Sequence, residues 1–72
     1  MTSHNLIVRV DFYPNGEMIP LGFTDKNGES HYVEKIVKIS YYVNKTVFTC
    51  ISSGMNILLV CRDGVWTLEN NS

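Results

Sequence analysis

Apolar and polar residues alternate along most of this chain, which is the period of β-strands whose two faces differ. Turn-forming pairs such as Asn-Gly, Asn-Lys and Asp-Gly interrupt the alternation about every ten residues, and no segment keeps a helical period for long. The pattern predicts strands at Leu6 to Tyr13, Met18 to Asp25, Ser30 to Val43, Thr46 to Ser53, Asn56 to Arg62 and Val65 to Glu69.

The first hairpin has a predictable register, because a two-residue loop determines which residues face each other across the strands. With Asn15-Gly16 as the loop, one face is wholly apolar. Its facing pairs are Val8 and Phe23, Val10 and Leu21, and Phe12 and Ile19.

The next turn, at Asn27-Gly28, allows two registers. A two-residue loop places Tyr32 opposite Phe23, whereas a three-residue loop with a glycine bulge places His31 there. We prefer the bulged register because it buries an apolar residue, Val33, instead of a glutamate.

Three further turns, at Asn44-Lys45, Gly54-Met55 and Asp63-Gly64, select one inner face for the second half of the chain. The facing pairs are Tyr41 and Phe48, Ile39 and Cys50, Cys50 and Leu59, Phe48 and Cys61, Cys61 and Trp66, and Leu59 and Leu68. The predicted inner face comprises Val37, Ile39, Tyr41, Phe48, Cys50, Ile57, Leu59, Cys61, Trp66 and Leu68.

The long third run passes through Glu34-Lys35, where we expect a bend or bulge that lets one strand serve both halves of the sheet. Five or six short, bent antiparallel strands predict an all-β fold, either a small SH3-like barrel or a strongly bent sheet. An OB-like topology is disfavoured because the pattern contains no helix. We expect a single domain over residues 6–69, with disordered ends at residues 1–5 and 70–72.

Composition fits a single folded core: 72 residues, 44% hydrophobic and 18% charged, with a net charge of -1. Basic and acidic residues are interspersed, so no field directs the chain to nucleic acid or to an anionic membrane. The start of the chain lacks the pattern of a signal peptide, which makes the cytoplasm the expected location. Cys50 and Cys61 are therefore expected to stay reduced.

Few residues offer chemistry. Cys50 and Cys61 fall on one face as diagonal neighbours, but buried apolar packing explains them better than a disulfide does. The cysteines and histidines are widely spaced along the chain, whereas zinc ligands usually occur in close pairs, so the sequence hardly supports a metal site. A catalytic arrangement could be drawn from His31 with Glu29 or Glu34 as an acid-base pair and Ser30 as the nucleophile. The sequence offers no glycine elbow, oxyanion loop or third orienting group to support it. We predict no catalytic residue, no metal, no cofactor and no enzymatic activity.

The outer face of the fourth and fifth predicted strands is more apolar than a solvated face should be. We call this set the predicted interface; it consists of Tyr42, Val47, Thr49, Ile51, Leu58, Val60 and Arg62. A small domain with a limited core gains stability by association. The predicted function is a non-enzymatic interaction module that forms a homodimer and binds a protein partner.

The alternative function is a nucleic-acid-binding barrel. Bases stack on exposed aromatic rings, and the candidates are Tyr13, Tyr32, Tyr41, Tyr42 and Trp66. Balanced charge argues against it, because attraction to phosphate normally dominates such binding. Tyr41 and Trp66 are also expected to face inward.

Several short elements in order along the chain carry a family resemblance. They are Asp11-Phe12, Asn15-Gly16, Pro20-Leu21-Gly22-Phe23, Asn27-Gly28, Val33 to Ile39, Thr49-Cys50, and Asp63, Trp66 and Glu69. The pattern resembles a family of short, uncharacterised proteins of Firmicute bacteria, and the resemblance implies no particular activity. The family tends to have a tryptophan near Asp25 and an aromatic residue near Cys61, and this chain has neither.

Overall fold

A computed structural model describes residues 5–70, and these residues form seven antiparallel β-strands in one sheet without any helix. The strands are β1 (Asn5–Phe12), β2 (Met18–Thr24), β3 (Ser30–Tyr32), β4 (Lys35–Tyr41), β5 (Thr46–Ser52), β6 (Met55–Arg62) and β7 (Val65–Asn70). The all-β prediction is confirmed. The predicted ends at residues 1–4 and 71–72 lie outside the described residues.

The sheet is strongly curled, because the chain passes directly from one of its edges to the other. The strand order is β3-β2-β1-β7-β6-β5-β4, so β3 and β4 are consecutive in sequence but lie at opposite edges. Val33 N–H donates to Leu21 O at 2.9 Å, and Glu34 N–H donates to Ile51 O at 2.8 Å. Two adjacent residues thus join β2 to β5, and the sheet becomes a half-barrel. The predicted bend of the third run is confirmed; it divides that run in two, which raises the strand number to seven.

Two turns have the predicted register. At the Asn27-Gly28 turn, His31 lies opposite Phe23, as the bulged alternative requires. At the Asp63-Gly64 turn, Cys61 pairs with Trp66. Asp63 and Gly64 have φ values of 52° and 78°, the left-handed conformation that type I′ hairpin turns need at both positions.

The predicted register of the first hairpin is wrong beyond the pair of Val8 and Phe23. Tyr13 N–H donates to Glu17 O, so three residues rather than two form the loop. A bulge at Leu21 then places Val10 opposite Pro20 and Phe12 opposite Met18. As a result Pro20 is buried and Met18 packs against the core, whereas Leu21 and Phe12 are exposed, contrary to the prediction.

Two hairpins of the second half are displaced by two residues from the predicted register. Ile39 and Leu59 both face Phe48, whereas the sequence predicted Cys50 as the counterpart of each. A shift of two residues keeps every side chain on its face because side chains alternate with period two. The inner face therefore survives the error in register.

The core lies inside the curl and comprises Phe23, Phe48, Cys50, Ile57, Leu59 and Trp66. Phe48 packs on Trp66 with ring centroids 5.5 Å apart. Most of the predicted inner face is confirmed, but Val37 and Tyr41 are exposed. Val37 occupies a bulge, so Ile36 takes its place opposite Cys50. Tyr41 pairs with Thr46 beyond the last row of the core.

Candidate functional site

The predicted interface lies on the side of β5 and β6 that faces away from the core. Val47 pairs with Val60, and Thr49 pairs with Leu58. Val47, Thr49, Ile51 and Leu58 are half-buried, whereas Val60 is only 3% exposed within the single chain. The residues share a face as expected, but the apolar surface that they offer is smaller than the sequence suggests.

The other two residues of the predicted interface, Tyr42 and Arg62, are exposed where β4 and β6 end. Tyr42 is exposed at the end of β4, and its ring centroid lies 5.4 Å from Lys45 Nζ. Arg62 is exposed opposite Val65, beside the Asp63-Gly64 turn. The Tyr42 hydroxyl and the Arg62 guanidinium therefore add exposed polar groups to the half-buried apolar side chains of the predicted interface.

A cleft of about 270 Å³ lies between the first hairpin turn and the hairpin of β4 and β5. We call it the aromatic cleft. Glu17 and Met18 line one wall, and Tyr41, Thr46 and Phe48 line the other. Segments distant in sequence therefore form this site together, because the curl of the sheet places β2 and β5 near each other.

Exposed aromatic residues occur in both segments that form the aromatic cleft, and Tyr41 is the exposed ring that lines it. Phe12 and Tyr13 come immediately before the turn that forms the first wall, and Phe12 lies directly opposite Met18. Tyr41 ends β4 at the second wall, and Tyr42 follows it as part of the predicted interface. Phe12 is 72% exposed and Tyr41 is 68% exposed. A surface of this kind is unusual on a chain with few residues to spare for its core.

Charge around the aromatic cleft is balanced. Glu17 lines it, and Lys45 lies beside Tyr42. One acidic and one basic group give no net field that would attract phosphate, in agreement with the chain's net charge of -1.

At the opposite end of β2, Asp25 and His31 form a hydrogen-bonded pair across the Asn27-Gly28 turn. His31 Nε2 donates to Asp25 Oδ2 at 2.8 Å. Asp25 Oδ1 accepts from the backbone N–H of Asn27 at 2.9 Å and of Glu29 at 3.0 Å. The hydrogen bond from His31, followed by those from the backbone, lowers the pKa of Asp25 below its usual value of 3.8.

Sequence reasoning considered His31 with Glu29 or Glu34 and rejected that combination as a catalytic site. It did not consider Asp25, which makes the hydrogen bond with His31. The signal for Asp25 lies in the same bulged turn: an aspartate two residues before Asn27 can bind the turn's own backbone amides, which leaves its second oxygen free to meet His31.

Cys50 and Cys61 are free thiols and are not diagonal neighbours, so that prediction is wrong. Cys50 faces Ile57 and Cys61 faces Thr46, which separates the two cysteines by four residues along β6. Four residues of strand span about 13 Å, roughly twice the Cα separation that a disulfide bridges. The reading of both thiols as packing residues fits this geometry.

No family model, curated protein or solved structure matches this chain. The resemblance to the Firmicute family stays a prediction. Across residues 5–70 the fold contains no helix long and apolar enough to cross a membrane.

Proposed function

We propose that this chain is a non-enzymatic interaction module that binds an extended segment of another protein in the aromatic cleft. The observation that carries the proposal is a cleft between two hairpins that is lined by the exposed ring of Tyr41 and by Met18, which lies opposite the exposed ring of Phe12. Both free cysteines suit a reducing compartment, so the proposed location is the cytoplasm.

Aromatic rings favour a protein ligand for two reasons. Each ring can bury about 150–250 Å² of surface, which makes aromatic residues dominant in binding energy. Rings such as Tyr41 also pack well against proline, whose extended polyproline conformation is already ordered before binding and loses little entropy. A proline-containing segment is therefore the proposed class of partner.

Titration with decaproline tests this proposal, with the fluorescence of Trp66 as the readout. Trp66 is the only tryptophan, and it packs on Phe48, which lines the aromatic cleft. We expect wild-type fluorescence to change saturably and Tyr41→Ala to bind at least ~10-fold more weakly, the equivalent of ~1.4 kcal/mol.

Tyr32→Ala is the matched control, because Tyr32 is equally exposed but lies on β3, away from the aromatic cleft. It should bind decaproline as the wild type does. An equal loss in Tyr32→Ala and Tyr41→Ala, or no saturable change in the wild type, would contradict the proposal.

Nucleic-acid binding is the second candidate, and the exposure of Tyr41 favours it more than the sequence did, since the ring is free to stack on a base. The balanced charge of Glu17 and Lys45 weighs against it. Salt separates the two functions: binding of single-stranded DNA should weaken steeply between ~50 and ~200 mM salt, whereas apolar binding of decaproline should not.

Self-association through the predicted interface is a further part of the proposed function. Val47, Ile51 and Leu58 keep part of their apolar surface exposed on one face of the sheet. Pairing of two copies would bury these side chains and so add to a limited core. The edge strand β4 is a poorer place for pairing, because it carries Lys35 and Lys38 and a bulge between them.

A further inference from the structure

A second cleft, of about 200 Å³, opens beside the Asp25–His31 pair. We call it the polar cleft. Phe23, Ile57 and Leu68 form its apolar wall, while Asp25, His31 and Ser52 contribute polar groups. It is therefore a small site in which polar atoms converge next to the core.

Three side chains offer metal-binding atoms at the edge of the polar cleft, two from its lining, Asp25 and His31, and one beside it, Glu29. One ligand atom each from Asp25, Glu29 and His31 lies within 4.8 Å of the other two. Two of these side chains are already oriented. The backbone amides hold Asp25 through Oδ1, so that Oδ2 points at His31. The His31 ring stacks on Phe23 with centroids 4.8 Å apart.

Ser52 supplies an independent indication of a ligand. It is 3% exposed, and its Oγ has no hydrogen-bond partner among the residues that the structure describes. A buried hydroxyl without a partner is costly, roughly 1–3 kcal/mol, and native structures rarely retain one without a reason. Since Ser52 lines the polar cleft, a polar group bound there would satisfy it.

We propose that the edge of the polar cleft binds a divalent transition-metal ion of the zinc class, held by Asp25 and His31 Nε2, which line the cleft, and by the carboxylate of Glu29 next to them. One imidazole and two carboxylates suit zinc, with bonds of about 2.0–2.2 Å. A water molecule takes the fourth position and hydrogen-bonds to Ser52 Oγ, in the manner of the outer-shell partners that orient zinc ligands.

The arrangement needs only small movements to close around the ion. Ligand atoms around a tetrahedral zinc lie roughly 3.4 Å apart. His31 Nε2 and Asp25 Oδ2, which are 2.8 Å apart, must therefore separate by about 0.6 Å, and atoms up to 4.8 Å apart must approach by at most about 1.4 Å. Glu29 is exposed and free to make most of this movement. The ion takes the place of the hydrogen on His31 Nε2 that Asp25 Oδ2 accepts in its absence, because a ligating nitrogen must be unprotonated.

Isothermal titration of the full chain with Zn²⁺, after treatment with a chelator, tests the proposal. We expect one equivalent to bind, and at least ~10-fold weaker binding in both Asp25→Asn and His31→Gln. Ser52→Ala should weaken binding by about 10-fold, because it removes only the partner of the bound water. Far-UV circular dichroism checks that each variant is folded.

Two matched controls each remove a metal-binding side chain outside the proposed site, one histidine and one cysteine. His4→Gln and Cys61→Ser should bind Zn²⁺ as the wild type does. Long-range ¹⁵N imidazole spectra of the wild type add a readout that does not depend on a variant, since Zn²⁺ should shift the Nε2 signal of His31. The proposal fails if the wild type binds no Zn²⁺, if His31→Gln binds it unchanged, or if either control abolishes binding.

Discussion

Cys50 shows how burial can make a reactive side chain inert. It lies in the centre of the core, and its thiol donates a weak hydrogen bond to Phe48 O at a distance of 3.5 Å. Burial raises the pKa of the Cys50 thiol from 9.0 to about 11, because the core solvates a thiolate poorly. The reactive thiolate is therefore rare in the folded protein at neutral pH, and Cys50 acts as a small apolar packing residue.

The raised pKa predicts how stability depends on alkaline pH. The unfolded chain releases the Cys50 proton near pH 9, whereas the folded chain retains it up to about pH 11. The neutral thiol is compatible with both states below pH 9, so stability is unaffected there and falls between pH 9 and about 11. Urea unfolding across this range should show a smaller decrease for Cys50→Ala than for the wild type.

Other groups that ionise in the same range are common to both proteins, so the comparison isolates this thiol. Cys61→Ala is the matched control; it retains Cys50 and should follow the wild-type decrease. If Cys50→Ala and the wild type lose stability in parallel between pH 9 and 11, the assignment to Cys50 is wrong.

At the scale of elements, faces were easier to predict than registers. A face depends on alternation alone, so the inner positions of β5 and β6 are as predicted despite a shift of two residues in register. A register depends on which pair closes each hairpin. Here Ser53-Gly54 closes one turn with φ values of 52° and 74°, although Gly54-Met55 is an equally plausible pair in the sequence. The bulges at Leu21 and Val37 have no turn-forming residue pair that would mark them in the sequence.

Close packing of β2 against its neighbours explains why Gly22 stands in that strand. A Cβ atom at Gly22 would lie 2.5 Å from Arg9 Nη2 and 2.6 Å from the backbone oxygen of His31. Arg9 lies 5.7 Å from the centroid of the Tyr32 ring, on the same outer surface. The flexible arginine could move away, but the His31 oxygen belongs to the adjacent strand β3 and cannot.

Gly22→Ala is therefore expected to destabilise the fold by about 1–3 kcal/mol, because β3 must shift to admit the methyl group. Chemical denaturation measures this difference. Ser30→Ala, on the exposed side of β3, is the control and should change stability by less than about 0.5 kcal/mol. Removing the arginine as well, in Arg9→Ala/Gly22→Ala, should recover only part of the loss. A Gly22→Ala variant as stable as the wild type would show that the strands are not packed this closely.

At the scale of the molecule, the curl of the sheet produces both clefts. It brings Met18 near Phe48 at one end and His31 near Ser52 at the other. Neither site was predictable from spacing, because each joins segments separated by about 20 residues or more. The sequence pattern predicted that Tyr41 faces the core opposite Phe48. In the structure Tyr41 pairs with Thr46 instead, and its side chain is exposed.

Self-association is the second property of the whole molecule. Sedimentation over a concentration series should detect a dimer of the wild type. Ile51→Lys and Leu58→Lys should be monomers that keep their near-UV circular dichroism, because both side chains are only half-buried. Val60→Lys should instead unfold the chain, since Val60 is buried. A wild-type monomer at high concentration would contradict self-association without affecting the aromatic cleft.

The central claim is that the aromatic cleft binds an extended protein segment, and backbone amide shifts recorded during titration with decaproline test it most directly. The account predicts that the largest shifts fall on residues 12–18 and 41–48 and persist at high salt, because the contacts are apolar. Shifts centred on Asp25 and His31 or on the outer face of β5 and β6, or no shifts at millimolar peptide, would contradict it.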